Sequence, residues 1–182
     1  MVNRLPFVSR RKYQAAVEAA RILHERAKES VPFKERYIAL ADLMTSNDYQ
    51  MLAVKRVGNI DVVAFLKNEG YGERAFFLYQ VIQLRREDWV CRIDVKYLDR
   101  NRVYLIDWHC KCENIGYGSF LLKQAILYLE CAGFSYLLGK IEPADFDHEE
   151  KLKHIYRKFG FDITEFPNER RLVLHLKEDE AL

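Results

Sequence analysis

The sequence predicts a mixed α/β fold: a central mixed, mostly antiparallel β-sheet flanked by helices. Three stretches with different patterns predict it: helical periodicity over residues 1–48, strand-like segments over 49–110, and alternating strands and helices over 111–176. Strands joined by short turns pair antiparallel, whereas a strand–helix–strand unit makes its two strands parallel. We therefore expect residues 1–182 to form a single domain built on one sheet.

The N-terminal part of the chain is expected to contain two helices. Residues 12–28 and 33–44 carry apolar side chains at helical spacing, and Pro32 separates the two stretches. The first 36 residues hold nine Lys or Arg and four Asp or Glu, whereas the remainder holds 20 and 23. We interpret the basic residues as the solvated face of a helix; contact with an acidic partner is the alternative.

Composition excludes several classes of protein. Hydrophobic residues make up 49% of the chain and charged residues 31%, which is typical of a globular protein rather than a disordered one. The apolar runs are shorter than the ~20 residues that cross a bilayer, so no membrane partner is expected. No apolar stretch follows the basic N-terminus, as it would in a secretory signal. A net charge of +2 argues against a nucleic-acid partner.

Four cysteines stand at positions 91, 110, 112 and 131. Their spacing differs from the disulfide framework of a small secreted domain, so we expect reduced thiols and a cytoplasmic protein. Cys110 and Cys112 lie beside His109, a combination that can bind a metal ion. A structural zinc site needs four ligands, however, and no second Cys/His pair stands at a suitable spacing, so no metal is expected.

The middle of the chain is predicted to form antiparallel strands. The residues Gly58-Asn59 separate two apolar stretches and are typical of a hairpin turn, and Gly70-Tyr71-Gly72 marks another turn. Five strands are expected here, over residues 49–57, 60–66, 75–84, 89–97 and 103–109.

The segment from Glu113 to Ser119 is the most informative one, because it joins the strand 103–109 to a helix through Gly116 and Gly118. The first turn of a helix leaves backbone N–H groups unpaired, and its dipole attracts anions. Glycine lets a phosphate approach the backbone because it has no Cβ. We interpret the segment as a diphosphate-binding turn; a tight connection that binds nothing is the alternative.

Beyond this turn, helices and strands alternate. A helix is predicted over residues 118–132, ending near Gly133, and a short strand over 136–141. A second helix is predicted over 148–159, because its apolar residues recur at helical spacing. Two final strands are expected over 161–166 and 171–176.

Two of these segments resemble the GNAT family of N-acetyltransferases, which transfer an acetyl group from acetyl-CoA to an amine. The family's acetyl-CoA signature, Arg/Gln-x-x-Gly-x-Gly/Ala, corresponds to residues 113–118, and its Leu-Tyr-x-x-x-Gly-Phe pattern corresponds to residues 155–161. The resemblance covers roughly residues 89–176. Glu113 departs from it, because the family prefers Arg or Gln at that position.

The resemblance implies a GNAT-like acyl-CoA N-acyltransferase fold, with acetyl-CoA as cosubstrate and a primary amine of a small molecule or peptide as acceptor. It also implies that the cofactor is held by backbone groups of the glycine turn and of two parallel strands, which end near residues 108–109 and 139–141. The expected cofactor-binding residues are Trp108, His109, Asn114, Ile115, Gly116, Tyr117, Gly118 and Ser119.

Three residues are candidates for proton transfer. The resemblance places Tyr156 as the general acid for the leaving thiolate; a core position within the helix's apolar stripe is the alternative. Period-2 alternation puts Asp107 and His109 on one face of their strand, together with Val103 and Leu105, and either is a candidate general base. A surface carboxylate and a strand-end imidazole are the alternative interpretation of this pair.

Two other functions remain open from the sequence. Glu113 in place of Arg or Gln favours a non-catalytic GNAT-like module that binds acyl-CoA or a protein partner. The basic N-terminal segment suggests an interaction domain. A homodimer formed through strand pairing is also compatible with the pattern.

Overall fold

The computed structural model describes residues 48–81, 89–112 and 115–176 of the chain. The two predicted N-terminal helices, at 12–28 and 33–44, lie outside the described residues, as do Glu113 and Asn114. The assignment of residues 1–182 to a single domain therefore stays a prediction.

The described residues form one eight-stranded sheet in the order β1-β2-β3-β4-β5-β6-β8-β7. All neighbouring strands pair antiparallel except β5 and β6, which pair parallel. The predicted mixed, mostly antiparallel sheet is confirmed. The strands are β1 (Tyr49–Val57), β2 (Ile60–Gly70), β3 (Glu73–Gln80), β4 (Trp89–Tyr97), β5 (Arg102–Cys110), β6 (Tyr136–Ile141), β7 (Asp162–Phe166) and β8 (Glu169–His175).

Two α-helices follow β5 along the chain. Helix α1 (Tyr117–Cys131) connects β5 to β6, and the backbone after it turns at Gly133, whose φ of 82° is the left-handed conformation that glycine adopts readily. A 3₁₀ turn (Pro143–His148) precedes helix α2 (Glu149–Lys158). The predicted helix over 148–159 was therefore nearly correct in extent.

The sheet has an apolar cluster on each face. One cluster joins the inward residues of the sheet to α1 and α2 and includes Val103, Leu105 and Tyr156. The other contains buried side chains of β2 and β3 and of the residue that follows β3: Val63, Phe65, Ala75, Phe77, Tyr79 and Val81. Because both faces are buried, the strands of the sheet centre are apolar without strict alternation.

The expectation of four reduced thiols is wrong for one pair, because Cys91 and Cys110 form a disulfide. They are directly opposed partners of β4 and β5, with their Cα atoms 4.2 Å apart. Spacing along the chain gave no sign of this pairing, which depends on strand register. The disulfide removes the support that reduced cysteines gave to a cytoplasmic location. Cys112 and Cys131 are not part of a disulfide.

Within the described ranges, no helix is both long and apolar enough to cross a membrane.

Candidate active site

The parallel strands β5 and β6 separate near the middle of β5. Their pairing runs only from Arg102↔Tyr136 to Tyr104↔Leu138. Beyond that point β5 continues to pair with β4 as far as Cys110, and β6 continues to pair with β8 as far as Ile141. The facing edges of residues 105–110 and 139–141 are therefore not hydrogen-bonded to each other, which creates a cleft bordered by backbone groups.

A β-bulge in β5 decides which of its side chains point to the face of the sheet that packs against the helices. Asp107 pairs with Asp94 and Leu105 with Val95, so Ile106 is the extra residue. The bulge reverses the alternation: Trp108 and Cys110 join Val103 and Leu105 in packing against the helix-side cluster.

Asp107 and His109 consequently lie on the opposite face from Val103 and Leu105. The prediction that all four share one face was wrong, because simple alternation does not anticipate a bulge. The ring of His109 lies 5.5 Å from that of Trp89, which packs against the cluster on the other face of the sheet. The alternation beyond the bulge still keeps Asp107 and His109 together.

The first turn of α1 forms the candidate diphosphate site. Gly116 precedes the helix with a φ of 89°, and no side chain caps the helix start. The backbone N–H groups of Tyr117, Gly118 and Ser119 have no acceptor within the helix, and the first turn holds no acidic residue. A Cβ added to Gly116 would meet nothing within 4 Å. The backbone here thus fits an approaching anion.

Gly118 is glycine for a different reason from the one predicted. A Cβ at this position would lie 2.9 Å from Cζ2 of Trp108 and 3.0 Å from Sγ of Cys110. The space left by the missing side chain is therefore filled by the protein itself. Tyr117 is also turned inward: it is 1% exposed, and its hydroxyl accepts a hydrogen bond from Gln80 Nε2 at 3.2 Å. Only its backbone N–H is available to the turn.

Trp108 connects the helix start to α2. Its indole ring packs on Gly118, and its centroid lies 5.7 Å from that of Tyr156. Its backbone N–H donates a hydrogen bond to Asp107 Oδ1 at 2.7 Å. Its indole Nε1 is buried and has no hydrogen-bond partner.

Tyr156 lies in the core and also borders the candidate site. It is 6% exposed, and its ring contacts those of Trp108 and Phe161. Burial raises the pKa of its hydroxyl well above the ordinary value, and the carboxylates of Asp145 and Asp107 raise this pKa further. The hydroxyl is therefore protonated at neutral pH, the form that an acid requires. No described residue hydrogen-bonds to it.

Asp107 and Asp94 face each other across β5 and β4 but differ in their partners. Asp94 is held by Arg92, whose Nη2 lies 2.8 Å from Oδ1. Asp107 is exposed, and the backbone N–H of Trp108 is its hydrogen-bond donor among the described residues. Asp107 also interacts electrostatically with Arg92.

The rings of Tyr156 and Trp108 are in contact, whereas Asp107 lies on the other face of the sheet and acts on Tyr156 through its charge. The ring of His109 packs against Trp89 instead. Ile115 is exposed immediately before the helix start, whereas Asn114 lies outside the described residues.

One residue of this region was missed at the sequence level. Asp145, in the 3₁₀ turn, is close enough to Tyr156 to raise its pKa. Its role depends on packing between distant segments, so the local sequence carries no signal for it. Gly139, at the strand end expected to hold the cofactor, is buried where β5 and β6 diverge, and a Cβ there would lie 3.4 Å from Cβ of Leu105.

No group of three or more His, Cys, Asp or Glu side chains is placed to hold a metal ion in the parts of the chain that the structure describes.

Several solved structures are similar to this chain. N-acetyltransferase PseH from Campylobacter jejuni, in complex with acetyl coenzyme A, is 15% identical with a TM-score of 0.46, covering 60% of this chain and 72% of PseH. The ribosomal-protein-S18-alanine N-acetyltransferase from Escherichia coli is 15% identical with a TM-score of 0.47, covering 63% and 77%. The GNAT domain of S. lividans PAT is 10% identical with a TM-score of 0.47, covering 60% and 64%.

The third of these proteins carries the name of the family that residues 113–118 and 155–161 resemble. No protein-family model and no curated protein sequence matches the chain.

Proposed function

We propose that this protein is an N-acetyltransferase that transfers an acetyl group from acetyl-CoA to a primary amine. One observation carries the proposal: on the part of β5 that has separated from β6, Trp108 contacts both the uncapped start of α1 and the ring of Tyr156. A ligand that has a diphosphate at one end and a thioester at the other suits these two groups.

The protein's backbone would hold most of the cofactor. The N–H groups of residues 117–119 would bind the diphosphate, with Asn114, Ile115 and Gly116 forming the turn in front of them. The unpaired edges of β5 at Trp108 and His109, and of β6 from Gly139 onward, would hydrogen-bond the pantetheine arm as an added strand would. Acetyl-CoA supplies an activated acetyl group as a thioester.

Two side chains would move protons during the transfer. The amine nitrogen forms a bond to the thioester carbonyl carbon, and the carbon–sulfur bond breaks. Tyr156 would donate its proton to the leaving sulfur. Asp107, or His109 through water, would accept the proton that the amine loses. Asp107 fits this role better, because its charge acts on Tyr156 whereas the ring of His109 packs against Trp89.

The acceptor would arrive as a cation. The carboxylates of Asp107 and Asp145 both act electrostatically on Tyr156, and Asp107 also interacts with Arg92. An ammonium group that enters the cleft would be attracted by these carboxylates and would then lose its proton before reacting.

Two measurements test the proposal. The melting temperature should rise with acetyl-CoA, because a ligand that binds only the folded state stabilises it. A panel of amines should then be screened for thiol release, with acetyl-CoA hydrolysis in the absence of amine as the control. An unchanged melting temperature at millimolar acetyl-CoA would exclude both catalysis and cofactor binding.

A second function, a module that binds acyl-CoA without catalysis, is favoured by Trp108. Its indole ring occupies the space beside Gly118, and the sequence carries Glu113 just before the turn. A rise in melting temperature without thiol release for any amine would support this function instead of catalysis.

A further inference from the structure

One polar atom of the described residues stands out. Nε1 of Trp108 is the buried side-chain nitrogen or oxygen, within the described ranges, that has no hydrogen-bond partner. An unpaired buried donor costs free energy, and such groups in folded proteins commonly await a ligand or take part in function. The backbone N–H of Trp108, in contrast, has a partner, because it donates a hydrogen bond to Asp107.

The position of the indole relative to α1 indicates what the donor faces. Cε2 of Trp108, the ring carbon bonded to Nε1, lies 3.4 Å from the position that a Cβ of Gly118 would occupy. The Cα–Cβ bonds of a helix tilt toward its N-terminus. The indole edge that carries Nε1 therefore packs against the first turn of α1, the turn in which the N–H groups of residues 117–119 have no acceptor within the helix.

Tyr156 of α2 packs against the indole, with ring centroids 5.7 Å apart. Its hydroxyl differs from Nε1 of Trp108, because Nε1 is the atom that is both buried and without a partner among the described residues. The indole N–H and the backbone amides of the first turn of α1 are therefore the donors that this region leaves without acceptors.

We propose that the indole N–H of Trp108 donates a hydrogen bond to an oxygen of the phosphopantetheine arm of acyl-CoA, held at the start of α1. The inference rests on the proposed function and adds a specific side-chain contact to it. The first helical turn, Tyr117 to Phe120, contains no basic side chain. The indole N–H from β5 would therefore be a donor additional to the backbone amides, while the ammonium group of Lys55 lies over the ring of Phe120, 5.4 Å from its centroid.

The experiment uses the fact that the chain has two tryptophans, Trp89 and Trp108. In the Trp89→Phe variant, the single indole N–H resonance in a spectrum of ¹⁵N-indole-labelled protein belongs to Trp108. On titration with coenzyme A, this resonance should move downfield and its exchange with water should slow, as expected for a new hydrogen bond. A resonance that stays in place at saturating coenzyme A would overturn the inference.

Affinity provides the second measurement. Trp108→Phe keeps an aromatic ring but removes the N–H, and should weaken coenzyme A binding about tenfold in calorimetry. Trp89→Phe is the matched control and should bind as the wild type does. The same loss should appear with 4′-phosphopantetheine, which carries the arm alone. A loss seen with coenzyme A but not with 4′-phosphopantetheine would place the contact elsewhere and overturn the inference.

Different results would contradict the proposed function and the proposed Trp108 contact. If the wild-type protein does not bind coenzyme A, the proposed function is wrong and the Trp108 contact with it. If the wild type binds and Trp108→Phe binds equally well, only the contact is wrong. Should Trp108→Phe not fold, the resonance of Trp108 in the Trp89→Phe protein decides alone.

Discussion

Two neighbouring regions of this protein differ in whether their polar groups have partners within the protein. At the start of α1, the backbone amides and the buried indole N–H of Trp108 are donors without acceptors among the described residues. Around the middle of α2, charged groups are fully engaged. Lys153 is 6% exposed, its Nζ lies 2.6 Å from Glu165, and it also contacts Glu149.

We call the second region the C-terminal ion network: Glu149, Lys153, Glu165 and Arg170. Arg170 Nε lies 2.7 Å from Glu149 Oε1, and Arg170 Nη1 donates to the carbonyl of Phe166. The network joins α2 to β7 and β8. Tyr156 lies on the same helix as Lys153, so the network fixes the helix that carries the candidate acid.

The contrast separates two uses of polarity. Groups that satisfy one another hold elements in place, whereas groups left unsatisfied by the fold are available to a ligand. Mutations in the first region should therefore change binding and turnover, and mutations in the second should change stability and its dependence on pH.

The largest effect is expected for Gly116→Asp. It places a carboxylate where an anion should bind, and also strains a residue with a φ of 89°. We expect acetyl-CoA affinity to fall about 100-fold or more, measured by calorimetry. Gly133→Asp is the matched control, since Gly133 has a φ of 82° at the other end of the same helix. If both variants bound acetyl-CoA equally well, the diphosphate would not lie at Gly116.

Tyr156→Phe should lower turnover about 100-fold, the effect typical of losing a general acid. Acetyl-CoA affinity should change little, because the buried ring that packs on Trp108 and Phe161 is retained. Stopped-flow detection of thiol release measures the first quantity and calorimetry the second. Tyr136→Phe, on the paired part of β6, serves as the control. A wild-type rate in Tyr156→Phe would leave Tyr156 as a core residue only.

Gly118→Ala should lower the free energy of unfolding by about 1–3 kcal/mol, the usual cost of overpacking a core. Its Cβ would lie 2.9 Å from the indole of Trp108 and push it aside. Gly139→Ala should cost less, since the nearest atom, Cβ of Leu105, is 3.4 Å away. Urea titration measures both. Equal stability of Gly118→Ala and wild type would contradict the packing of Trp108 on Gly118.

The smallest effect is a change in pH dependence caused by Lys153→Met. Hydrogen bonds from Lys153 hold the pKa values of Glu149 and Glu165 below their ordinary value of 4.5. The stabilisation is thus present above that pH and is lost as pH falls through the lowered pKa values. Unfolding free energy should decline less steeply in Lys153→Met between about pH 5 and about pH 3.

Lys140→Met provides the comparison for this pH experiment, because Lys140 and Glu142 form an exposed ion pair of the kind that contributes little. Its pH profile should follow the wild type. If Lys153→Met also followed the wild type, the C-terminal ion network would not set the acid stability.

Local patterns predicted the boundaries of most elements. Helix α1 was expected over residues 118–132 and runs Tyr117–Cys131, and β6 was expected over 136–141 and runs Tyr136–Ile141. The turns at Gly58 and Gly133 have positive φ, as their glycines indicated. These features depend on residues close together in the chain, where turn chemistry and periodicity act.

Features that depend on pairing between distant segments escaped prediction. The bulge at Ile106 arises from the register of β5 against β4, and it moved Asp107 and His109 to the face opposite Leu105. The same register brought Cys91 opposite Cys110. Trp108 packs on Gly118 because of the way α1 lies against the sheet.

The order of the strands and helices, the parallel pair around α1 and the glycine turn that begins this helix were readable from the residues alone, because short-range sterics and periodicity set them. The face on which each candidate acid or base lies, the disulfide, and the donors left without partners were decided only in the folded chain. The reason is that one extra residue in a strand, or one side chain filling a glycine's space, changes contacts between segments that lie far apart in the chain.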